Sequence, residues 1–167
     1  LKRRWDVARF GEPGQAPLLL LTGEAGIGKT RLLRELQVYA GLRDGYVLHG
    51  TAYQQAGGNP YAIFANVLRN YVRDQSAELL RRQAPGFVAG EVVKLAPQLA
   101  EKIGYIPPNP LLEPAAERAR LLEQVSAFLM NIALEQPTLL LLDDLHLADP
   151  GSLDLLETLI LHSSGTA

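Results

Sequence analysis

One eight-residue segment, residues 23–30, constrains the fold of this chain more than any other feature. It reads G-E-A-G-I-G-K-T and fits the pattern G-x-x-x-x-G-K-[ST]. Its glycines let the backbone turn tightly and approach a phosphate group without a clash from Cβ atoms. An apolar run at residues 18–21 precedes it, and an amphipathic helical pattern over about residues 28–40 follows it. The segment therefore predicts a phosphate-binding loop between a buried parallel strand and a helix.

The chemistry of such a loop assigns roles to its residues. The backbone N–H groups point inward as an anion-binding nest, and the helix that follows adds its positive end. The Lys29 ammonium can reach the β- and γ-phosphates of a nucleoside triphosphate, and the Thr30 hydroxyl can ligate Mg²⁺. The candidate nucleotide-binding residues are Gly23, Glu24, Ala25, Gly26, Ile27, Gly28, Lys29, Thr30 and Arg31.

A second apolar run, residues 139–142, ends in the carboxylates of Asp143 and Asp144. The carboxyl end of a parallel strand lies at the edge where α/β sheets bind ligands. We expect Asp143 to hold Mg²⁺ together with Thr30, mainly through water. We expect Asp144 to polarise or deprotonate an attacking water molecule. Asp144 and Lys29 are therefore the predicted catalytic residues, and Thr30 and Asp143 the predicted metal ligands.

Strand and helix patterns alternate along the chain, which predicts an α/β fold with a mostly parallel sheet. Strands are expected at residues 18–21, 46–48 and 139–142. Asp149 is expected to cap the last helix, which begins at Pro150. The expected units are a leading helix and loop (1–16), the phosphate-loop strand and helix with a second strand and helix (17–75), a helical or loop insertion (76–113), and a long helix, the acidic strand and a following helix (114–167).

Composition narrows the partners and the compartment. The formal net charge is −2, which provides no overall basic field to hold nucleic acid. The chain has no cysteine, so disulfides and thiolate metal sites are excluded. Its apolar runs are too short to span a membrane, and the N-terminus lacks the apolar core of a signal peptide. Leu1 stands where an initiating Met is absent, so we expect a cytoplasmic piece of a larger protein, with the other domains of that protein as partners.

The phosphate loop and residues 139–149 together resemble the AAA-type ATPase modules of the STAND class. These modules occur in large LuxR-type transcriptional regulators and beside bacterial nucleotide cyclases and protein kinases. The likeness covers about residues 17–160 and includes Asn59-Pro60-Tyr61 opening a helix. It implies a three-layer P-loop NTPase fold of the ASCE or AAA-like type, with ATP and Mg²⁺ as ligands. Leu147 stands where the family commonly has Trp, and the Gly-Arg box that contributes to the adenine pocket is absent.

Three functions are compatible with this loop. The resemblance favours a regulatory switch that binds ATP or ADP, hydrolyses ATP slowly, and signals through oligomerisation or domain closure. A dedicated ATPase would use the same residues for rapid turnover. A small-molecule phosphotransferase would need an arginine-rich lid, for which residues 76–110 offer only Arg81 and Arg82.

The resemblance also implies that the strand following the acidic strand lies between residues 18–21 and 139–142. Residues 150–167 offer a helix but no further apolar strand. We therefore expect a sheet truncated before this sensor-1 strand, with unpaired edges on two strands. Weak or absent turnover and a tendency to self-associate should follow for residues 1–167 alone.

Three side chains outside the motifs each have two interpretations. His146 could contact a γ-phosphate, or it could be a loop residue bonded to backbone. Arg118 and Arg120 on the long helix could reach a neighbour's phosphate, but a solvated helix face is the simpler interpretation.

Overall fold

The structure, a computed structural model, describes residues 1–10, 18–53 and 59–163. The loop that ends the predicted leading unit (1–16) lies outside these ranges. The elements, in chain order, are α1 (Lys2–Phe10), α2 (Lys29–Gly41), β1 (Tyr46–Thr51), α3 (Ala62–Asp74), α4 (Ala77–Gln83), α5 (Phe87–Leu95), α6 (Gln98–Ile103), α7 (Pro114–Glu135), β2 (Thr138–Asp143), a 3-10 turn (Leu145–Leu147) and α8 (Pro150–Ser163).

Strands β1 and β2 form a parallel pair, in register from Tyr46 opposite Thr138 to Thr51 opposite Asp143. The strand predicted at residues 46–48 is confirmed and continues to Thr51. The strand predicted at residues 18–21 is wrong for the described structure: these residues join no sheet, and the Leu20 side chain is 70% exposed. An apolar run becomes a strand only where a neighbouring strand offers hydrogen-bonding groups, and the described residues place no such strand beside residues 18–21.

Helices cover both faces of this pair, as expected for parallel strands. On one face, Trp5, Leu36 and Ala40 pack with Leu141 of β2. On the other face, α3 packs closely on Gly50, where an added Cβ would lie 2.7 Å from a methyl group of Val67. The larger apolar core lies on this second side and joins α3 to the insertion helices, α7 and α8. The result is a helix–sheet–helix arrangement that fits a P-loop NTPase fold.

Proline and glycine divide the insertion into short helices, as the sequence predicts. Breaks fall at Pro85 and Gly86 and again at Pro97. The long helix α7 begins at Pro114 as predicted. Its apolar face is buried at Leu121, Val125, Phe128, Leu129 and Ile132, partly buried at Leu122 and exposed at Ala133. Asp149 caps α8 as predicted, since its Oδ1 accepts the backbone N–H of Ser152 at 2.9 Å.

The expectation that Arg120 lies on a solvated helix face is wrong. Its side chain is only 12% exposed and donates to Oε1 of the fully buried Glu91 at 2.7 Å. Asn109 donates to the same carboxylate at 2.8 Å, and Lys94 lies 2.8 Å from its other oxygen. Burial by itself would raise the pKa of Glu91, but the bonds from Lys94, Asn109 and Arg120 outweigh it and hold the pKa below its ordinary value. The buried carboxylate, not the solvent, determines where Arg120 lies.

Replacing Arg120 by methionine should lower the free energy of unfolding by about 2 kcal/mol, because it removes one partner of a buried charge while two remain. Arg118→Met on the same helix is the matched control, since Arg118 pairs with Asp154 at the surface and should contribute little. Because the pKa of Glu91 is lowered on folding, its contribution is present at neutral pH and is lost as the pH falls through that pKa. Urea unfolding of both variants at neutral and acidic pH tests this, and an equal small loss in both would contradict it.

Candidate nucleotide-binding site

The phosphate loop connects residue 22 to α2 through three glycines with positive φ, Gly23, Gly26 and Gly28. Gly26 has φ +80° and Gly28 has φ +103°, and a side chain at either position would be strained. Within the described part of the chain, the backbone N–H groups of Gly28, Lys29 and Thr30 meet no protein acceptor. These donors lie at the N-terminus of a 13-residue helix, where the helix dipole favours an anion. The loop can therefore accept a phosphate group through its backbone.

The Lys29 ammonium is held by the loop itself. Its Nζ donates to the carbonyl oxygens of Gly23 at 2.8 Å and Glu24 at 2.9 Å. These two bonds keep the positive charge next to the free N–H groups and outside the apolar core. An incoming phosphate would replace carbonyl acceptors with charged ones, and charge-assisted hydrogen bonds are the stronger kind.

Thr30 and Asp143 meet although 113 positions separate them in the chain. The Thr30 hydroxyl donates to Oδ2 of Asp143 at 2.9 Å. Thr30 is placed by the first turn of α2, and Asp143 is the last residue of β2, so helix and strand bring both to one edge of the sheet. The other oxygen, Oδ1, accepts the N–H of Asp144 at 3.0 Å, which fixes the carboxylate orientation.

Asp144 turns the chain sharply after β2. Its φ of +57° is in the left-handed region, which Asp tolerates better than most residues. The turn leads directly into the 3-10 turn, where the N–H of Leu147 donates to the Asp144 carbonyl at 2.8 Å. Asp144 is exposed, so its carboxylate can meet a water molecule.

A cavity of about 260 Å³ adjoins the acidic pair, between α2 and the sheet. A water molecule occupies about 30 Å³ in the liquid, so the space is sufficient for several of them. Thr30, Asp143 and Asp144 all line it, so the two predicted metal ligands and the predicted general base surround the same cavity. The other lining residues are Leu33, Arg34, Gln37, His49, Thr51, Tyr53 and Leu141.

The predictions did not anticipate the contribution of β1 to this cavity. His49 and Thr51 reach it because they share a sheet face with Leu141 and Asp143, their partners in register. A signal was present in the sequence: His49 and Thr51 alternate with Leu48 and Gly50 near the carboxyl end of a short strand. Using that signal requires knowing that β1 lies beside β2.

Four side chains that the sequence offers as contributors are not brought to the site. Arg31 pairs with Glu35 at 3.5 Å on the outer surface of α2, so only its backbone lies near the loop. His146 is exposed in the 3-10 turn and makes no hydrogen bond in the described structure, so the expected bond to backbone is not found. Arg118 and Arg120 are held in ion pairs with Asp154 and Glu91.

The oxygen atoms at this site fit a magnesium ion that also binds substrate phosphates. Mg²⁺ prefers oxygen ligands, keeps several waters and commonly uses one or two protein groups. Thr30 Oγ1 and Asp143 Oδ2 provide such a pair. Among the described residues, no cluster of three or more His, Asp or Glu side chains offers an all-protein cage. Thr30 and Asp143 would therefore hold the ion jointly with phosphate oxygens and water.

The fold and this site define an AAA-type P-loop ATPase module. A comparison with protein families matches residues 1–165 to the AAA ATPase domain, so the chain belongs to that family of nucleotide-binding domains. Domains of this family generally bind ATP with Mg²⁺. Searches of curated proteins and of solved structures found no significant match. No helix in the described ranges is long and apolar enough to cross a membrane.

Proposed function

We propose that this chain is a regulatory switch that binds Mg²⁺-ATP, hydrolyses it slowly and reports its nucleotide state to the rest of a larger protein. The observation that carries the proposal is the 2.9 Å contact between Thr30 and Asp143, which brings two candidate Mg²⁺ ligands together beside free N–H groups of the loop. The parent would be a cytoplasmic signalling or transcriptional regulator of the STAND class, such as a LuxR-type protein. Its partners would be ATP, ADP and the other domains of that protein.

The residues of the chain divide the work between binding and hydrolysis. The free N–H groups of Gly28, Lys29 and Thr30 would hold phosphate oxygens, and the Lys29 ammonium would exchange its two carbonyls for them. Mg²⁺, when bound, neutralises charge that develops on the phosphates. Asp144 would orient or deprotonate a water molecule in the adjoining cavity.

Slow hydrolysis is supported by where the arginines of α7 lie. An arginine that stabilises the transition state raises phosphoryl-transfer rates by about 10³–10⁵-fold. Arg118 and Arg120 are instead held by Asp154 and Glu91. We propose that such a group comes from another domain or another copy. Turnover of the isolated chain at or above about 1 s⁻¹, an ordinary enzyme rate, would favour the dedicated ATPase instead.

An additional strand is also part of this proposal. Within the described ranges β2 pairs with β1 alone, and the apolar residues 18–21 lie outside the sheet. Unpaired edges of apolar strands attract further strands. We propose that a strand from the parent protein or from a second copy pairs with the edge of β2 that faces away from β1. Without that strand, residues 1–167 would be a weak ATPase that self-associates.

Removal of the Thr30 hydroxyl tests whether Thr30 and Asp143 hold Mg²⁺ together. Thr30→Val should reduce the gain in ATP affinity that Mg²⁺ provides by about tenfold, because one oxygen ligand and its bond to Asp143 are lost. Affinity in EDTA should change little, since the backbone donors remain. Titration calorimetry with and without Mg²⁺ gives both numbers.

Thr158→Val is the matched control, because the Thr158 hydroxyl bonds to the carbonyl of Asp154 within α8 and, in the part of the chain that the structure describes, to no residue of the site. It should bind Mg²⁺-ATP like the wild type. Equal dependence on Mg²⁺ in Thr30→Val and the wild type would remove the observation on which the proposed function rests.

A further inference from the structure

Asp149 accepts four hydrogen bonds and thereby joins two helices. Its Oδ1 accepts the N–H groups of Tyr61 at 2.8 Å and Ser152 at 2.9 Å. Its Oδ2 accepts the N–H of Ala62 at 3.0 Å and the Ser152 hydroxyl at 2.6 Å. One carboxylate therefore caps α8, which follows it directly, and α3, which starts 87 positions earlier in the chain.

The Asp149 carboxylate ties the connection between β1 and α3 to the turn between β2 and α8. We call these two tied segments the junction; a second tie lies at the end of the acidic strand β2. At that end, the N–H of Ala52 donates to the Asp143 carbonyl at 3.0 Å. At the Asp149 end, Tyr61 and Ala62 are tied as described above. The connection from β1 to α3 and the turn from β2 to α8 are thus fastened to each other at both ends. Tyr53 lies on the first connection and Asp144 on the second, and both line the cavity.

The turn between Asp144 and Asp149 is short and internally bonded. Leu147 donates to the Asp144 carbonyl at 2.8 Å and Ala148 donates to the Leu145 carbonyl at 3.1 Å. Such a turn leaves few free dihedral angles, so a shift of Asp149 moves the backbone that carries Asp144. Positioning within a fraction of an ångström matters for catalytic groups, because a 1 Å misplacement can cost about 10²-fold in rate.

The backbone at Tyr61 shows that this junction is held against local strain. Tyr61 has φ +65°, a left-handed conformation that non-glycine residues adopt rarely. The Tyr61 ring lies against Gly151, where an added Cβ would be 3.0 Å from a ring carbon and 3.2 Å from Asp149 Oδ1. The two bonds from Asp149 to the Tyr61 and Ala62 amides offset this strain.

The junction also keeps Asp149 ionised. Burial alone would raise its pKa, but the bonds from Ser152, Tyr61 and Ala62 outweigh burial and hold the pKa below its ordinary value. A negative charge next to the N-termini of two helices is further favoured by both helix dipoles.

We propose that Asp149 is a positioning residue for hydrolysis: by tying the start of α3 to the turn after β2, it holds Asp144 in place relative to the phosphate loop. The proposal rests on the proposed function for its kinetic consequence. Asp149 does not touch nucleotide in this assignment, so hydrolysis should depend on it more than binding does.

Asp149→Asn is a sharp test because asparagine caps its own helix as well as aspartate does. The cap on α8 should survive, because a carbonyl oxygen in the place of Oδ1 can still accept the N–H of Ser152. The NH₂ group that replaces Oδ2 is a donor and cannot accept the N–H of Ala62, so the tie to α3 is weakened. In the intact protein we expect kcat per nucleotide-binding site to fall about tenfold, with KM and the Kd for Mg²⁺-ADP within about threefold of the wild type. Amide hydrogen exchange without nucleotide should speed up by about fivefold at Tyr61, Ala62, Leu147 and Ala148, the change that a lost cap produces.

Ser76→Ala is the matched control, because it removes a helix cap of α4 away from the site. It should lower stability as a lost cap does, without changing kcat or the exchange of these four amides. Ser152→Ala removes the hydroxyl that bonds to Oδ2 and keeps both bonds to α3, so it should leave kcat near the wild-type value.

The outcomes separate this inference from the proposed function. Unchanged exchange at Tyr61 and Ala62 in Asp149→Asn would show that the tie to α3 is not made. Faster exchange there with wild-type kcat would leave Asp149 a helix cap only, and would overturn its positioning role. If the wild-type protein does not hydrolyse ATP, the proposed function fails, and the kinetic consequence fails with it. Whether Asp149 holds the turn after β2 in place is then decided by exchange at Leu147 and Ala148 in Asp149→Asn: faster exchange supports this tie and unchanged exchange overturns it.

Discussion

Asp144→Asn is expected to slow hydrolysis of bound ATP by about 10²–10⁴-fold, the range that a general base contributes. Asparagine has the same shape as aspartate but cannot take a proton or attract water with a full charge. Affinity for Mg²⁺-ATP should stay within about twofold of the wild type, because both proposed metal ligands, Thr30 and Asp143, are unchanged. A single-turnover assay with stoichiometric ATP in the intact protein measures the chemical step even when turnover is slow.

Two aspartate-to-asparagine variants give this experiment its controls. Asp143→Asn should weaken Mg²⁺-ATP binding, since it removes the negative charge of one of the two proposed metal ligands. Asp74→Asn should change neither binding nor hydrolysis, because Asp74 is an exposed residue at the end of α3 that pairs with its neighbour Arg73. Full turnover in Asp144→Asn would show that another group activates the water.

The sequence predicted helices well because their signals are local. The α2 and α7 boundaries follow from apolar spacing and from Pro114 at a helix start. The strand at residues 18–21 was predicted on equally apolar residues and is not formed. A strand depends on a partner that can be far away in the chain, and apolar content alone cannot reveal which partner is present.

The site shows the same division between local and long-range signals. Residues of the phosphate loop and the acidic pair are predicted from motifs whose spacing is fixed by chemistry. The cavity residues His49 and Thr51 were missed, because their role depends on the register of β1 against β2. Arg120 was misinterpreted because its partner, Glu91, comes from another helix. Asp149 was predicted as a cap for α8, but its second set of bonds, to α3, crosses 87 positions of sequence.

Lys29→Ala is expected to weaken ATP binding by about 10²–10³-fold. Hydrogen bonds to charged groups contribute about 1.5–3 kcal/mol each, and Lys29 would make such bonds to the β- and γ-phosphates. The loss is smaller than the full sum, because the wild-type lysine must first release the carbonyls of Gly23 and Glu24. The fold should be retained, since Lys29 packs in neither apolar cluster. Calorimetry with Mg²⁺-ATP and a thermal unfolding curve measure the two effects separately.

Lys102→Ala is the matched control for this prediction, because Lys102 also bonds two backbone carbonyls with its ammonium. Its Nζ donates to the carbonyls of Arg73 and Gln75, each at 2.7 Å, at the end of α3. Both variants remove one positive charge and two lysine–carbonyl bonds, so both lose similar local support. Only Lys29 has its charge beside the free N–H groups of the phosphate loop. Affinity should therefore fall in Lys29→Ala and stay unchanged in Lys102→Ala. An equal fall in both would mean that net charge or local stability, rather than a direct bond to phosphate, determines binding.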